Sequence, residues 1–192
     1  MSSVKARLLL KAGVIYGTLK AQRYHYVTNL DYTLIMPLIG VGCDFLLPRL
    51  SKNLSIETML LTGYWSGTGT ASKEQHVVEP DYKLSFLNIE LQLGAAYRFS
   101  AENKITPFLH GGFFCNQKFA SNGLVSEFYD GESSAMGLRL GFYAGAGVDF
   151  PVGKHIARIE ANYKTPEINP QKRGDARTDI KSVFGLSASF LF

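Results

Sequence analysis

The chain has 192 residues, which suits one domain, and its 20 Lys and Arg against 16 Asp and Glu leave a net charge of +4. Apolar residues make up 46% and charged residues only 19%, below the usual quarter for soluble domains. The basic surplus is spread out, with no cluster interleaved with aromatics, which argues against nucleic acid and weakly for an anionic surface such as lipid headgroups; no run of about 18 apolar residues offers a transmembrane helix.

The dominant signal along the chain is alternation with period two, the mark of strands with unlike faces. The first strand is expected at 7–20, with Leu10, Ala12, Val14 and Tyr16 opposite Lys11, Gly13, Ile15 and Gly17. The second, 34–46, sets Ile39, Val41, Cys43 and Phe45 against Gly40, Gly42 and Asp44. The third, 53–65, sets Leu54, Ile56, Thr58 and Leu60 against Ser55, Glu57 and Met59. The fourth, 83–99, is the clearest: Leu87, Ile89, Leu91, Leu93, Ala95, Tyr97 and Phe99 share one face, and Asn88, Glu90, Gln92, Gly94, Ala96 and Arg98 the other. The fifth, 104–116, has less distinct faces. The sixth, 137–150, places Leu138 through Phe150 by twos against Arg139, Gly141, Tyr143, Gly145, Gly147 and Asp149. The seventh, 155–164, sets Ile159, Ala161 and Tyr163 against Arg158, Glu160, Asn162 and Lys164. The eighth, 180–192, sets Phe184, Leu186, Ala188, Phe190 and Phe192 against Gly185, Ser187 and Ser189.

Connections near 21–33, 66–82, 117–136 and 165–179 read as long and polar, and those near 47–53, 100–104 and 151–154 as short. Membrane barrels have this asymmetry, with tight turns in the periplasm and long loops outside, which places both termini in the periplasm. The face opposite the bulky one carries Gly and a few charges of both signs, which suits a narrow tube interior better than a watered surface. The bulky face is nearly continuous, and an eight-stranded interior is too small to hold it, so lipid is its expected solvent. The even strands end in Phe45, Phe99, Phe150 and Phe192, which predicts a periplasmic aromatic girdle. The expectation is an all-β protein over residues 1–192: an eight-stranded antiparallel up-and-down transmembrane β-barrel. Export then requires a leader, expected to have been removed or replaced ahead of Met1.

The segments LKAGVIYGTL, GVGCDFLLPRLSKNLSIETMLLTGY, LSFLNIELQLGAAYRF with KITPFLHGGFF, AGAGVDFPVGKHIARIEANY and FGLSASFLF resemble the small outer-membrane β-barrel (porin-like) family of Bacteroidetes over almost the whole length. The resemblance implies the barrel fold and a Gram-negative outer membrane. It also implies that Phe192 is the signal read by the outer-membrane assembly machinery. It implies no activity, because such barrels differ widely in what they do.

Buried charges must pair, so Lys11, Glu57, Glu90, Arg98, Arg139, Arg158 and Glu160 are expected to form a polar network in the lumen, with Asp149 and Lys164 beside them. Cys43 and Cys115 lie on strands that are not neighbours and are expected as free thiols. His25, His76, His110 and His155 lack zinc-like spacing, so neither metal nor cofactor is expected. A Ser/His/acid set near the outer rim, drawn from His25 and His76 with Ser66, Ser72, Asp31, Glu74 and Glu79, has no motif joining it, and no catalytic residue is assigned. Tyr24, Tyr26, Phe119, Phe128 and Tyr129, with the basic INPQKRGDAR at 168–177, suit loop packing or contact with an extracellular protein or glycan; the RGD at 173–175 is too short to carry weight. The expected role is non-enzymatic: a barrel in contact with outer-membrane lipids whose outer loops bind a partner or support an envelope assembly. The alternatives are a narrow channel and a lipid-modifying enzyme.

Overall fold

The computed structural model describes residues 5–23, 28–72, 78–99, 105–120, 138–167 and 177–192. Eight strands follow in chain order: β1 (Lys5–Arg23), β2 (Thr28–Leu46), β3 (Leu54–Ser72), β4 (Val78–Arg98), β5 (Thr106–Ala120), β6 (Arg139–Val152), β7 (His155–Lys164) and β8 (Arg177–Leu191). Each pairs antiparallel with the next, and β1 pairs with β8, so the sheet closes on itself. Closure leaves no open sheet edge around the shared girth of the barrel, the condition for a sheet to sit in hydrocarbon. At the seam the Phe192 amide donates to the Leu8 carbonyl at 2.9 Å.

Strand lengths are unequal. β1, β2 and β3 have 19 residues each and β4 has 21, whereas β7 has 10. At about 3.3 Å per residue, β7 reaches about 33 Å and β4 about 70 Å. A tilted strand of about ten residues already crosses the hydrocarbon, so β1 to β4 rise well beyond it as two tall hairpins. This corrects the expected loops: 21–33 and 66–82 are mostly strand, with only 24–27 and 73–77 between the paired ends. Strand also runs through 117–120 at the top of β5. The polar, turn-prone residues there pair because each strand has a neighbour already in register, which outweighs local preference.

The opposite end is tight. The Leu47 carbonyl accepts from the amides of Leu50 and Ser51, both at 3.0 Å, and Ser51 Oγ accepts from the Asn53 amide at 3.2 Å. β6 and β7 join through two residues, Gly153 and Lys154, with Val152 paired to His155. Gly153 has φ +61°, a conformation costly to any residue with a Cβ and common in two-residue hairpins.

The alternation sorts side chains as the barrel requires. Leu10, Val14, Leu91, Leu93, Leu109, Phe113, Phe142, Ile159 and Leu186 face outward and are exposed. Among residues with side chains described, those on the other parity are mostly buried. β5 now has definite faces: Phe108, His110, Phe114, Asn116 and Lys118 point in, and Leu109, Phe113 and Phe119 point out. The lumen is not lined by small residues and charges alone. Ile15, Leu34, Met36, Leu38, Met59, Leu61, Trp65, Phe86 and Val183 pack together inside it. One side of the interior, mainly β1 to β3, is apolar; the other, mainly β4 to β7, is ionic.

Candidate functional site

The ionic half of the interior is built in tiers. At the end with the tight turns, Arg98 and Arg158 share three carboxylates. Arg98 donates through Nε to Asp149 Oδ2 at 3.0 Å, through Nη2 to Asp44 Oδ2 at 2.9 Å and through Nη1 to Ser55 Oγ at 2.7 Å. Arg158 donates through Nε to Asp149 Oδ1 and through Nη1 to Glu57 Oε1, both at 2.7 Å. Its guanidinium lies 4.1 Å from the centre of the Phe108 ring. A planar fork that meets several carboxylates and stacks on an aromatic face is chemistry that Arg supplies and Lys does not.

Above this tier Glu160 accepts from Lys11 Nζ, from Asn162 Nδ2 at 2.9 Å and from Ser187 Oγ at 3.1 Å. Next, Glu90 accepts from Lys164 Nζ and, at 2.6 Å, from Gln92 Nε2. At the top, Glu167 accepts from Lys118 Nζ and, at 2.8 Å, from Asn116 Nδ2.

The residues singled out in the sequence for the lumen are thus placed as follows. Glu57, Arg98 and Arg158 meet in one cluster, joined by Asp44 and Asp149. Lys11 and Glu160 form a second pair, and Glu90 takes Lys164. Arg139 is buried on β6 opposite Asn116 and has an interaction partner of its own. Sequence reading missed Asp44 as a partner, although it sits on the inward parity of β2. It also missed Lys118 and Glu167, because 117–136 and 165–179 read as loops.

His110 is buried, with Nδ1 3.6 Å from Glu57 Oε2 and its ring edge-on to Tyr143. His155 instead lies at the tight-turn end against Phe190 and Phe192. His25, His76, Glu74, Tyr24, Tyr26, Phe128, Tyr129 and the tripeptide at 173–175 lie outside the described residues. Ser66 is on β3 and exposed, and Phe119 is on the outer face of β5, not in a loop. Cys43 and Cys115 stand unpaired on β2 and β5.

A cavity of about 20 Å³ lies between Lys11, Gln92, Asn162, Lys164 and Ser187 on one side and Ile15, Leu38, Leu61 and Val183 on the other. That is room for a water molecule and little more.

On the outside, Phe45, Phe99, Phe150 and Phe192 end their strands at the tight-turn end. Tyr97 packs edge-on to Phe99, and Phe190 on Phe192. A second aromatic band lies higher: Tyr16 is paired to Phe184, whose ring packs on Tyr163 at 5.2 Å, and Tyr64 and Phe119 flank Leu87. From Phe184 to Phe192 is about 27 Å along the strand. A tilt of about 40° reduces that to about 20 Å, near the height of the apolar band in membrane barrels.

No protein-family model matches the chain, and no curated protein matches it in sequence. Solved structures do match. The outer membrane protein OprG from Pseudomonas aeruginosa is 10% identical, with 97% of this chain and 95% of that one covered and a TM-score of 0.61. Neisserial surface protein A is 13% identical, with 97% of each chain covered and a TM-score of 0.53. The outer membrane enzyme PagL, 11% identical over 95% of this chain and 98% of that one, reaches only 0.46, too low to argue from. At these identities the likeness concerns architecture and not activity. The chain has the closed, eight-stranded antiparallel barrel fold seen in small outer-membrane proteins.

Proposed function

We propose that this protein is an integral outer-membrane barrel of a Gram-negative bacterium that does not conduct. Its work is to hold the tall β1–β4 hairpins above the lipid as a non-catalytic binding surface for an extracellular protein or glycan. The observation that carries the reading is the inversion of the molecule. Large apolar side chains such as Leu91, Phe113 and Leu186 are exposed, while Glu57, Asp149, Arg158 and Glu160 are buried. Water would favour the reverse; hydrocarbon outside and paired charge inside favour this arrangement. In this reading the tight-turn end faces the periplasm and its aromatic ring sits at the inner interface.

The interior supports the non-conducting part. Cations and carboxylates that could line an ion path are bonded to one another across the lumen, and the apolar cluster fills the other side. Purified protein in a planar bilayer should leave the current at baseline. Stepwise conductance would remove the plugged-lumen reading. Ser66→Cys, in a chain without Cys43 and Cys115, tests the exposed hairpins, since Ser66 is an exposed residue of β3 beyond Tyr64. It should react with a membrane-impermeant maleimide on intact cells; labelling only after lysis would reverse the orientation.

A further inference from the structure

The mouth of the barrel holds a charge arrangement that the packing of the wall does not require. Thr165 prolongs the β6–β7 pairing, its amide donating to the Phe142 carbonyl at 2.9 Å while the Phe142 amide donates to Thr165 Oγ1 at 3.0 Å. Pro166 has no N–H to continue the ladder, and the chain brings Glu167 over the lumen. The Glu167 carboxylate is held there by Lys118 Nζ and Asn116 Nδ2. Lys118 is 4% exposed and its ammonium lies 5.9 Å from the centre of the Phe86 ring. Phe86 in turn stacks on Trp65 at 5.9 Å.

The same region contains unmet hydrogen-bonding capacity. Trp65 Nε1, Asn88 Oδ1 and Asn116 Oδ1 are all buried without a partner. The residues neighbour one another across the sheet: Trp65 pairs with Phe86, and Asn88 with Lys118. Buried polar atoms are costly to leave unpaired; here Trp65 Nε1 is a donor and the two Asn oxygens are acceptors, so a ligand at this place would carry groups of both kinds.

We propose that Lys118 and Asn116 form a carboxylate-binding site at the mouth of the barrel, occupied in this state by the chain's own Glu167 and open to a small external carboxylate that displaces it. The bound carboxylate takes the ammonium of Lys118 and the amide of Asn116. The unpartnered oxygens of Asn88 and Asn116 remain for hydrogen-bond donors elsewhere on the ligand. The inference goes beyond the role proposed above and does not depend on which way the barrel faces.

Trp65 is the chain's single Trp, so Trp fluorescence of the folded protein reports from beside this site. Protein folded in detergent micelles is titrated with sodium acetate at fixed pH and ionic strength, with sodium chloride as the balancing salt. Wild type should show a saturable change. Glu167→Ala removes the internal competitor and should saturate at about tenfold lower acetate, or less still, in proportion to how fully Glu167 occupies the site. Glu167→Ala combined with Lys118→Met has neither charge and should not respond. Should Glu167→Ala fail to fold with Lys118 left bare, Glu167→Gln serves in its place. If acetate moves the fluorescence of the single variant but never that of wild type, the pair is a structural ion pair and the proposal falls. It falls equally if chloride alone gives the same change, or if the double variant still responds.

Discussion

Replacing Arg158 by alanine should destabilise the folded barrel by about 3 kcal/mol. The side chain is 1% exposed and donates to Asp149 at 2.7 and 3.2 Å and to Glu57 at 2.7 Å. Removing one partner of a buried ion pair costs about 3–5 kcal/mol, because the other charge is left without compensation. Here the compensation is uneven. Asp149 keeps Arg98 at 3.0 Å, whereas Glu57 keeps it only at 3.6 Å. The uncompensated charge is therefore mainly that of Glu57, which sets the expectation at the lower end of the range. The double variant Arg158→Met with Glu57→Gln removes that charge and should recover more than half of the loss. The assay is urea unfolding of the protein in detergent micelles, followed by Trp65 fluorescence, with the midpoint shifted and the slope unchanged. Arg7, about a third exposed and 4.0 Å from Asp44, is the control: its replacement by alanine should cost under about 1 kcal/mol. A loss below about 1 kcal/mol for Arg158→Ala, or a double variant no more stable than the single, would refute the reasoning.

Leu91→Arg puts a charge on the outer apolar wall and should cost about 2–4 kcal/mol in lipid vesicles, read as a lower unfolding midpoint; no change would mean that this wall does not meet hydrocarbon. Gly147→Ala should cost about 1–3 kcal/mol by the same measurement, because a Cβ there would meet the Phe108 ring, which carries Arg158, at 2.7 Å and, closer still, the Ile159 carbonyl oxygen of the neighbouring strand. Cys115 lies between Leu91 and Leu140 on the outer wall, so in vesicles it should react with N-ethylmaleimide but not with a charged, water-soluble maleimide. Labelling by both reagents would place it in water.

How much of this was legible in the chain varied by strand. KLSFLNIELQLGAAYRF alternates so strictly that both faces of β4 could be assigned residue by residue. In β5 the adjacent pairs Gly111–Gly112 and Phe113–Phe114 put the same residue type on both faces, so period alone could not choose. In β2 the run from Leu34 to Ile39 is apolar on both parities, because one parity meets lipid and the other meets the cluster around Trp65. That apolar half of the lumen was hidden for this reason. The inward parity of Glu57, Glu90, Arg98, Arg158 and Glu160 could be read in advance, but their pairing could not. Glu57 on β3 meets Arg158 on β7 across the tube, which depends on barrel size and strand stagger, neither of which a period reports. The hairpin tops of β1 to β4 were read as loops since Thr, Asn, Asp and Gly there favour turns when taken alone.

The ion pairs that span the tube bear on how the molecule enters its membrane. Glu57 and Glu90 arrive early in the chain, and their counter-charges Arg158 and Lys164 arrive on the seventh strand. A half-made sheet of the first four strands, in which Arg98 still has Asp44, would therefore present Glu90 to oil without its counter-charge and Glu57 with only Arg98 at 3.6 Å. Insertion one hairpin at a time is disfavoured at every step before the seventh strand docks. The transition should be steeply cooperative, with rolling-up of the sheet, neutralisation and entry into the bilayer occurring as one event.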